Sequence, residues 1–427
     1  MYTGAGGLDL GFEAAGFETR VAVEMDVDAV RTLRENRPAW EIIDQDIHSE
    51  AASSGEILRR GRLGVGDADI LIGGPPCQPF SKSGYWARGD AKRLDDPRAE
   101  TLGAYLRVLR DTQPRAFLLE NVPGLAFSKK DEGLVFIQRS IDQINREVGT
   151  QYSMNVALLR AVEHGVPQDR QRVFIVGSRN GEQFEFPAPT HTAPTLGDEL
   201  ELGIGNAGGT ATAGLEPYLT AWDAIGDLAD DDDPSLRVTG KWADLLPSIP
   251  EGENYLYHTD RRDGVPLFGW RRRYWSFLLK LSKRLPSWTI AAQPGPATGP
   301  FHWRNRRLSP RELMRLQTFP DTYRVTGNYR AIQRQIGNAV PAALAERLAL
   351  EIRRQFFGEV GLRSDRPSLA PARRPGVPPA EPVAPVARKY MALVGRHEAH
   401  PGTGLGYGAQ RRNAQRMAAG QAAVSAG

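Results

Sequence analysis

The chain has 427 residues, 41% of them hydrophobic and 25% charged, which is enough for a sizeable core in one large domain plus a smaller one. It contains no run of about 18 apolar residues and no signal-like N-terminal segment, so we expect no membrane span, no secretory leader and a cytoplasmic location. Its single cysteine, Cys77, excludes an intramolecular disulfide and argues against a cysteine-based zinc site, so no metal is expected.

Positive charge is concentrated in two stretches of a chain whose formal net charge is only +3. Residues 260–315 hold thirteen Lys or Arg against three Asp or Glu, and residues 359–427 hold ten against four. A basic stripe on a slightly acidic body is typical of proteins that bind a polyanion. A solvated Arg-rich surface would give the same pattern, so charge alone does not identify the partner.

Short apolar runs alternate with helical patterns over residues 1–190. The predicted strands are Val21–Val23, Ile70–Ile72, Phe117–Leu119, Val156–Leu159 and Val173–Val176. Helical spacing is found at Leu8, Phe12 and Ala15, and again at Leu102, Leu106 and Leu109. Strands that alternate with helices predict an α/β fold with a mostly parallel sheet, and we assign residues 1–190 to the first part of this domain.

The rhythm is lost after residue 190. Residues 191–305 are predicted to form a linker followed by a small irregular domain rich in Trp, Tyr and Arg. Residues 306–357 return to helix, with one helix opening at Pro310 and a last amphipathic helix at Ala342–Phe356. We expect this return segment to complete the α/β domain.

The C-terminal residues 358–427 have a different composition, with seven prolines between Pro367 and Pro385. This composition predicts a disordered tail, in which only Lys389–Val394 is apolar enough to dock weakly on the body. A basic tail adds non-specific, salt-sensitive affinity for a polyanion. Deletion after about residue 360 is therefore expected to leave any catalytic turnover near wild type and to flatten the salt dependence of binding.

The glycine-rich start and a later loop place polar or reactive residues at predicted strand ends. Gly4-Ala5-Gly6-Gly7 leads into a helix and Glu24 ends the next strand, which would suit NAD, FAD or S-adenosylmethionine, or a simple tight turn. Pro75-Pro76-Cys77-Gln78 follows the strand Ile70–Ile72, at the sheet edge where open α/β folds place ligand chemistry. The polar neighbours of Cys77 favour a reactive thiol over a buried structural one.

Two further segments lie at the following strands. Glu120-Asn121-Val122 follows the strand Phe117–Leu119, where its carboxylate could face Cys77. Gln168-Asp169-Arg170-Gln171-Arg172 precedes the strand Val173–Val176, and its alternating arginines can place two guanidinium groups on one side of an extended segment. Taken alone, each segment is equally consistent with a solvated surface.

In order and spacing, these segments resemble the DNA cytosine-5 methyltransferases over roughly residues 1–356. The matching segments are Gly4–Gly7, Val21–Asp26, Asp46-Ile47, Pro75–Gln78, Glu120–Val122, Gln168–Arg172, Arg311–Gln317 and Gln335–Pro341. The resemblance implies a Rossmann-like S-adenosylmethionine-dependent methyltransferase fold in which residues 235–305 are the target-recognition domain. It also implies methylation of C5 of cytosine in a specific double-stranded DNA sequence, with the base flipped out of the duplex.

The same resemblance implies a role for each matching residue. Cys77 would attack C6 of cytosine, Glu120 would supply a proton at N3 with a raised pKa, and Arg172 would bind O2 with Arg170 nearby. The implied cofactor-binding residues are Tyr2, Gly4, Gly6, Gly7, Glu24, Met25, Asp46, Ile47, Pro76, Asn338 and Val340. The implied DNA-binding residues are Gln78, Ser81, Asn121, Gln168, Arg271, Arg272 and Arg273.

The family resemblance leaves alternatives open. An RNA cytosine-5 methyltransferase of the same fold would use the same cysteine and glutamate, and an inactive member could serve as a DNA-binding protein. Intact Cys77, Glu120 and Arg172 argue against the inactive member. An NAD-dependent oxidoreductase would leave the cysteine loop without a role. For the active enzyme we expect a monomer and a companion restriction endonuclease encoded separately.

The start of the chain departs from the family pattern. In the family an apolar strand of about five residues precedes the glycine loop, whereas here only Met1 precedes Tyr2. Missing backbone partners in a sheet cost roughly 1–3 kcal/mol each. The sequence therefore predicts that the natural protein starts upstream, and that the chain as given is unstable and binds S-adenosylmethionine poorly.

Overall fold

The computed structural model describes residues 1–76, 100–125, 132–193, 214–228, 233–270 and 274–395. Its strands are β1 (Val21–Val23), β2 (Glu41–Ile43), β3 (Ile70–Gly73), β4 (Ala116–Asn121), β5 (Asn155–Arg160), β6 (Gln168–Asp169), β7 (Gln171–Ser178), β8 (His191–Thr192), β9 (Glu216–Pro217) and β10 (Ser287–Trp288). Its α-helices are α1 (Gly7–Ala14), α2 (Val27–Asn36), α3 (Ser54–Gly61), α4 (Glu100–Thr112), α5 (Glu132–Val148), α6 (Ala221–Ile225), α7 (Pro310–Leu316), α8 (Tyr329–Asn338) and α9 (Ala342–Phe356).

The central sheet has the strand order β3-β4-β7-β5, and β1 pairs with β2 in a separate two-stranded sheet. Strands β3 and β4 are parallel, whereas β7 is antiparallel to both of its neighbours. The α/β architecture is as predicted, but the sheet is mixed and not mostly parallel. The reason is the short connection from β5 to β7, since a parallel neighbour would need a crossover of about a dozen residues or more.

The first three residues lie between the two sheets. The Met1 ammonium donates a hydrogen bond to Ile72 O on β3 at 2.8 Å, and Thr3 N donates to Val23 O on β1 at 3.4 Å. These bonds satisfy part of the two strand edges that the sequence predicts to be unpaired. The carboxyl ends of β1 and β3 consequently flank the start of the glycine loop.

Helices cover both faces of the central sheet. Phe117 and Leu119 of β4 belong to a core that includes side chains of α4 and α5, whereas Ala116 and Leu118 belong to a core that includes α1 and α9. This division follows from the alternation of side chains along a strand. Because α9 contributes to the second core, the C-terminal return packs on the same sheet as the N-terminal half.

The predicted elements agree with the structure at most positions. All five predicted strands are present, as are the helix that begins at Pro310 and the last helix, Ala342–Phe356. The sequence missed β2, which has only two apolar residues, Ile42 and Ile43. None of the helices in the described part of the chain combines the length and the apolar character needed to cross a bilayer.

Residues 233–301, here called the irregular unit, contain short 3-10 turns and isolated bridges, with β10 the one named strand in its described part. The unit has its own buried core, to which Leu245, Tyr255, Leu278 and Phe301 contribute. The loss of the βα rhythm that the sequence indicates is therefore observed. The β10 strand joins the unit to the body, because Ser287–Trp288 pairs with β6.

Residues 359–395 differ from the disordered tail that the sequence predicts. They run over the surface of the body and the irregular unit, and Tyr390 is buried in the core of that unit. Proline restricts the unfolded chain as well as the folded one, so a Pro-rich segment loses little entropy when a few contacts hold it. The remainder of the tail, residues 396–427, lies outside the described residues.

A buried ion pair stabilises the start of α7. Glu312 is fully buried, accepts two hydrogen bonds from the Arg306 guanidinium at 2.7 and 2.8 Å, and also accepts one from Ser309 N at 2.7 Å. Removing one member of such a pair leaves the other charge buried without compensation.

We expect Glu312→Ala to lower the free energy of unfolding by about 3–5 kcal/mol, measured by urea titration of tryptophan fluorescence. The matched control is Arg311→Ala on the same helix, whose exposed partner Asp321 makes a surface pair at 2.6 Å and whose loss should cost about 0–1 kcal/mol. Equal losses in the two variants would contradict this account of Glu312.

Candidate active site

A buried acidic side chain, Glu120, contacts a buried basic side chain, Arg172, at the end of β4. The Arg172 Nε lies 2.8 Å from Glu120 Oε1, and the two side chains are 15% and 11% exposed. Arg172 is near the start of β7, which runs antiparallel to β4. The register of the two strands pairs Glu120 with Phe174, and Arg172 is two residues from Phe174 on the same face of the strand. Burial raises the pKa of the Glu120 carboxyl, and the nearby charges of Arg172 and Arg170 oppose this shift. The direction is the one that proton donation by Glu120 requires.

The chain that leads to Cys77 is fastened beside this pair. A Cβ on Gly74 would lie 2.8 Å from Glu120 Oε2, so a side chain at this position would displace the carboxylate from the place it has beside Arg172. The Asn121 amide donates a hydrogen bond to Pro75 O at 3.2 Å, and its oxygen accepts one from Val122 N at 2.8 Å. Asn121, predicted to bind DNA, thus holds the loop. Cys77, Gln78 and Ser81 lie outside the described residues.

Arg170 is two residues before Arg172 in the chain and is 1% exposed. Its Nη2 donates a hydrogen bond to Gly337 O at 2.8 Å, at the end of α8. Its Nε and Nη1 have no hydrogen-bond partner within the described parts of the chain, and burial lowers the pKa of its guanidinium. The residue therefore links the site to the C-terminal return and adds positive charge near Glu120.

Gln168 occupies a different place from the one predicted. Its side chain is fully buried, donates to Leu316 O at 3.2 Å and accepts from Ile290 N at 3.3 Å. It thereby joins three segments of backbone and presents no accessible atom to a substrate in this structure. The family resemblance implies a DNA contact for Gln168, and the Gln-x-Arg-x-Arg pattern by itself does not reveal which side chains turn inward.

The glycine loop and Glu24 form a second cluster, at the end of β1. One Glu24 oxygen accepts a hydrogen bond from Gly4 N at 2.7 Å, and the other accepts from Met25 N at 2.9 Å and Asp26 N at 2.8 Å. A Cβ on Gly4 would meet no atom within 4 Å, so open space lies beside the loop. The carboxylate and the loop together form a cradle with room for a ligand.

The other predicted cofactor residues differ in their exposure to solvent. Met25 is 63% exposed, an unusual position for a large apolar side chain and one that leaves it free to pack on a ligand. Asp46 and Asn338 are also exposed, whereas Ile47 and Val340 are buried. Ile47 and Val340 belong to two hydrophobic cores, and the exposed residues remain available for contacts.

The glycine loop touches the C-terminal return directly. A Cβ on Gly7 would lie 2.4 Å from Val340 O, so glycine is required for this close approach. The Tyr323 hydroxyl donates a hydrogen bond to Ala5 O at 2.8 Å and lies 3.0 Å from where a Gly6 Cβ would be. Sequence reasoning missed Tyr323, because no motif pointed to it.

The residues around Tyr2 connect the cradle with the cysteine loop. Tyr2 has a left-handed backbone (φ 54°), and its hydroxyl donates to Thr101 O at 2.7 Å. The Thr101 hydroxyl in turn donates to Pro76 O at 3.0 Å. Sequence reasoning missed Thr101, and nothing in its surroundings along the chain would have identified it. Positive φ at a non-glycine residue is a feature of functional sites.

The arrangement brings most of the predicted residues to one edge of the sheets. A carboxyl with a raised pKa can deliver or share a proton, and two guanidinium groups can stabilise negative charge that develops on a bound ring. Gly74 follows β3 beside the Glu120 carboxylate, and it precedes the single cysteine of the chain by three residues in the sequence. Arg271, Arg272 and Arg273 lie outside the described residues.

Comparison with known proteins agrees with this chemistry. The family described as C-5 cytosine-specific DNA methylase matches residues 1–354. Type II methyltransferase M.SacI of Streptomyces achromogenes is 37% identical over 398 residues, covering 87% of this chain and 95% of the relative. Type II methyltransferase M.AquIA of Picosynechococcus sp. is 40% identical over 244 residues, covering 56% of this chain and 92% of the relative.

Among solved structures, a DNMT2 mutant from Spodoptera frugiperda matches with a TM-score of 0.53 and 16% identity, covering 83% of this chain and 98% of that one. At this identity the match shows the fold alone, and it agrees with the mixed α/β architecture of the described residues.

Proposed function

The chain belongs to the C-5 cytosine-specific DNA methylase family, and we propose that it transfers a methyl group from S-adenosylmethionine to C5 of cytosine within a specific double-stranded DNA sequence. The observation that carries the proposal is the buried pair of Glu120 and Arg172, placed against the backbone that leads to Cys77. An NAD-dependent oxidoreductase would use neither this pair nor the thiol, and the family match is not to such enzymes.

The chemistry assigns a separate task to each side chain. The Cys77 thiolate forms a bond to C6 of cytosine, and the electron pair of the C5–C6 bond becomes available at C5. Glu120 donates a proton at N3, while Arg172 binds O2 and stabilises the charge on the ring. C5 then takes the methyl group as its bond to the sulfonium sulfur of S-adenosylmethionine breaks, which would release S-adenosylhomocysteine. A base removes the C5 proton, the returning electron pair expels the Cys77 thiolate, and the N3 proton returns to Glu120.

S-adenosylmethionine supplies an electrophilic methyl group, and the cradle beside Gly4 fits its binding. The Glu24 carboxylate has lone pairs beyond those used by the three backbone amides and can accept ribose hydroxyls. Met25 offers an exposed apolar surface for the adenine ring, and Asp46 an exposed carboxylate. Asn338 is exposed at the end of α8 and is the proposed cofactor contact from the C-terminal return.

We expect Glu24→Gln to weaken S-adenosylmethionine binding about 10- to 100-fold, equivalent to about 1.4–2.8 kcal/mol, as measured by isothermal titration calorimetry. The amide keeps the size of the carboxylate but loses its charge and one of its two acceptor oxygens. The hydrogen bond from Gly4 N and the proposed hydrogen bonds from the ribose hydroxyls should therefore weaken. Glu18→Gln is the matched control, since the Glu18 side chain is 80% exposed. A dissociation constant within twofold of wild type would contradict the role of Glu24.

The irregular unit is the proposed target-recognition domain. It is tied to the catalytic segment through β10 and β6, and Trp275 and Trp288 pack together with ring centroids 4.9 Å apart. The target base is inaccessible inside a duplex and must be flipped out, at a cost of a few kcal/mol. We place the predicted DNA contacts of Arg271, Arg272 and Arg273 in this unit.

The test is methyl transfer from tritiated S-adenosylmethionine with double-stranded DNA, transfer RNA or no nucleic acid. Label in DNA, at cytosine C5 after digestion, is the expected result, and sequencing of the methylated product would give the target. Label in RNA alone would favour the RNA-modifying alternative, and label in neither would favour a non-catalytic member.

The type II methyltransferases among the relatives also support a partner. We propose that a separately encoded restriction endonuclease recognises the same sequence and that methylation protects the host DNA from it. Expression of this protein in cells that carry a candidate nuclease should make their DNA resistant to cleavage. Unprotected DNA in active cells would exclude that nuclease as the partner.

A further inference from the structure

Residues 364–395, here called the strap, lie beyond the part of the chain that the family description matches. The strap leaves α9 and follows the body to the irregular unit. Its prolines favour an extended, stiff backbone, which suits a segment that spans two parts of a protein. Four groups of contacts hold it along this path.

The first anchor is on the catalytic body. Glu346 of α9 is 3% exposed, and its two oxygens accept hydrogen bonds from Ser368 N at 2.7 Å and Leu369 N at 2.9 Å. The Leu369 side chain packs against two hydrophobic clusters of the body. A buried carboxylate of the body thus depends on strap amides for two of its hydrogen bonds.

The second anchor is at α6, where the body joins the irregular unit. Asp223 is buried and accepts a hydrogen bond from Arg374 N at 2.8 Å. The Arg374 side chain reaches Asp227 at 2.9 Å, and Asp227 is also paired with Arg315 of α7 at 2.6 Å. This anchor therefore joins the strap to two segments of the body.

The third anchor is inside the irregular unit. The Lys283 ammonium is 2% exposed and donates to Glu251 Oε1 at 2.6 Å, Pro379 O at 2.9 Å and Glu381 Oε1 at 3.0 Å. An ammonium has three protons to donate, and two of these three acceptors belong to the strap. Without the strap, the Lys283 ammonium would keep its ion pair with Glu251 but would lose two of its three acceptors.

The fourth anchor completes the core of the irregular unit. Tyr390 is 3% exposed and stacks on Trp242, with ring centroids 5.7 Å apart and an interplanar angle of 15°. Its hydroxyl donates to Lys241 O at 2.7 Å, and the neighbouring Lys389 pairs with Asp244. The strap thus supplies one of the buried aromatic side chains in the core of the irregular unit.

From these anchors we propose that the strap positions the irregular unit on the catalytic body, so that DNA held by the unit meets Glu120 and Arg172 in the correct orientation. The proposal rests on the assignment of the irregular unit to target recognition. Tyr390 acts in it as a positioning residue, through Trp242, and touches no reacting atom. The proposal that the strap positions the irregular unit replaces the expectation that deletion after about residue 360 leaves turnover near wild type.

The test compares Tyr390→Ala, Tyr390→Phe and Met391→Ala in the full chain. Met391 is the matched control, because it is next to Tyr390 on the strap and is 47% exposed. We expect Tyr390→Ala to lower kcat/KM for DNA roughly 10- to 100-fold, since small misplacements of a substrate cost rate on this scale. The dissociation constant for S-adenosylmethionine should stay within twofold, and Tyr390→Phe, which keeps the stacked ring, should restore most of the loss.

A loss of positioning is thereby separated from a loss of folding, which would also reduce the stoichiometry of S-adenosylmethionine binding. If Tyr390→Ala does fail to fold, the exposed pair of Lys389 and Asp244 gives a milder test. Lys389→Glu should lower kcat/KM for DNA several-fold, and adding Asp244→Lys should recover it.

The outcomes separate this inference from the proposed function. Wild-type protein that methylates no nucleic acid would overturn the proposed function. Active wild-type protein with Tyr390→Ala indistinguishable from Met391→Ala, or with no loss in the charge-reversal variant when Tyr390→Ala does not fold, would overturn the strap alone.

Discussion

Cys77→Ser is expected to reduce methyl transfer to DNA by at least roughly 10³-fold while S-adenosylmethionine binding changes little. A serine hydroxyl is far less acidic than a thiol and provides almost no anion to attack C6 at neutral pH. The proposed cofactor residues Gly4 and Glu24 lie at the end of β1, not on the cysteine loop, so cofactor binding should persist. The measurement pairs tritium transfer with calorimetric titration of the cofactor.

Two reagents, a thiol-modifying compound and a substrate analogue, give further tests of Cys77. Because Cys77 is the only cysteine, N-ethylmaleimide should inactivate the wild-type protein with a stoichiometry of one label per chain, and bound DNA should slow the reaction. DNA with 5-fluorocytosine at the target offers no C5 proton to remove, so an adduct stable to denaturing electrophoresis should accumulate with wild type and be absent with Cys77→Ser. Retained activity in Cys77→Ser would remove the thiol from the mechanism.

Glu120→Gln is expected to lower kcat by about 10²- to 10⁴-fold, with much smaller changes in the dissociation constants for DNA and cofactor. The amide cannot deliver a proton to N3, yet it retains the shape that fits against Gly74. Glu163→Gln is the matched control, because burial also raises the pKa of Glu163, which lies in the turn after β5. An equal loss in both variants would assign the effect to burial and not to catalysis.

The pH dependence of the same variant gives an independent check. Burial raises the pKa of Glu120 above its ordinary value of 4.5, so the proton-donating form persists to higher pH than in an exposed carboxyl. The single-turnover rate of wild type should fall as pH rises through this raised pKa, and it should rise with pH as Cys77 ionises. In Glu120→Gln the falling limb should be missing while the rising limb remains. An unchanged profile would argue that Glu120 does not titrate in the reaction.

Local sequence patterns predicted five of the strands, four of the helices and the segments that bear the chemistry. Strands such as Val21–Val23 and the helix Ala342–Phe356 follow from apolar periodicity, which depends on neighbours in the sequence. The cysteine loop, Glu120 and the alternating arginines are likewise recognisable because each follows or precedes a predicted strand. These short patterns also indicated the family that the comparison found.

The tertiary structure decided which of these side chains meet and which turn inward. The contact of Arg172 with Glu120 and the burial of Gln168 depend on the register of β7 and on α7 and β10, which lie far apart in the chain. The mixed sheet follows from a short connection, and the strap follows from Glu346, Lys283 and Trp242, whose partners are distant in sequence. Composition predicts whether a segment can form a core by itself, and the strap cannot. It is ordered because the folded body presents buried charges and an aromatic face that the strap contacts through its backbone, Glu381 and Tyr390. Such complementarity exists only after the rest of the chain has folded.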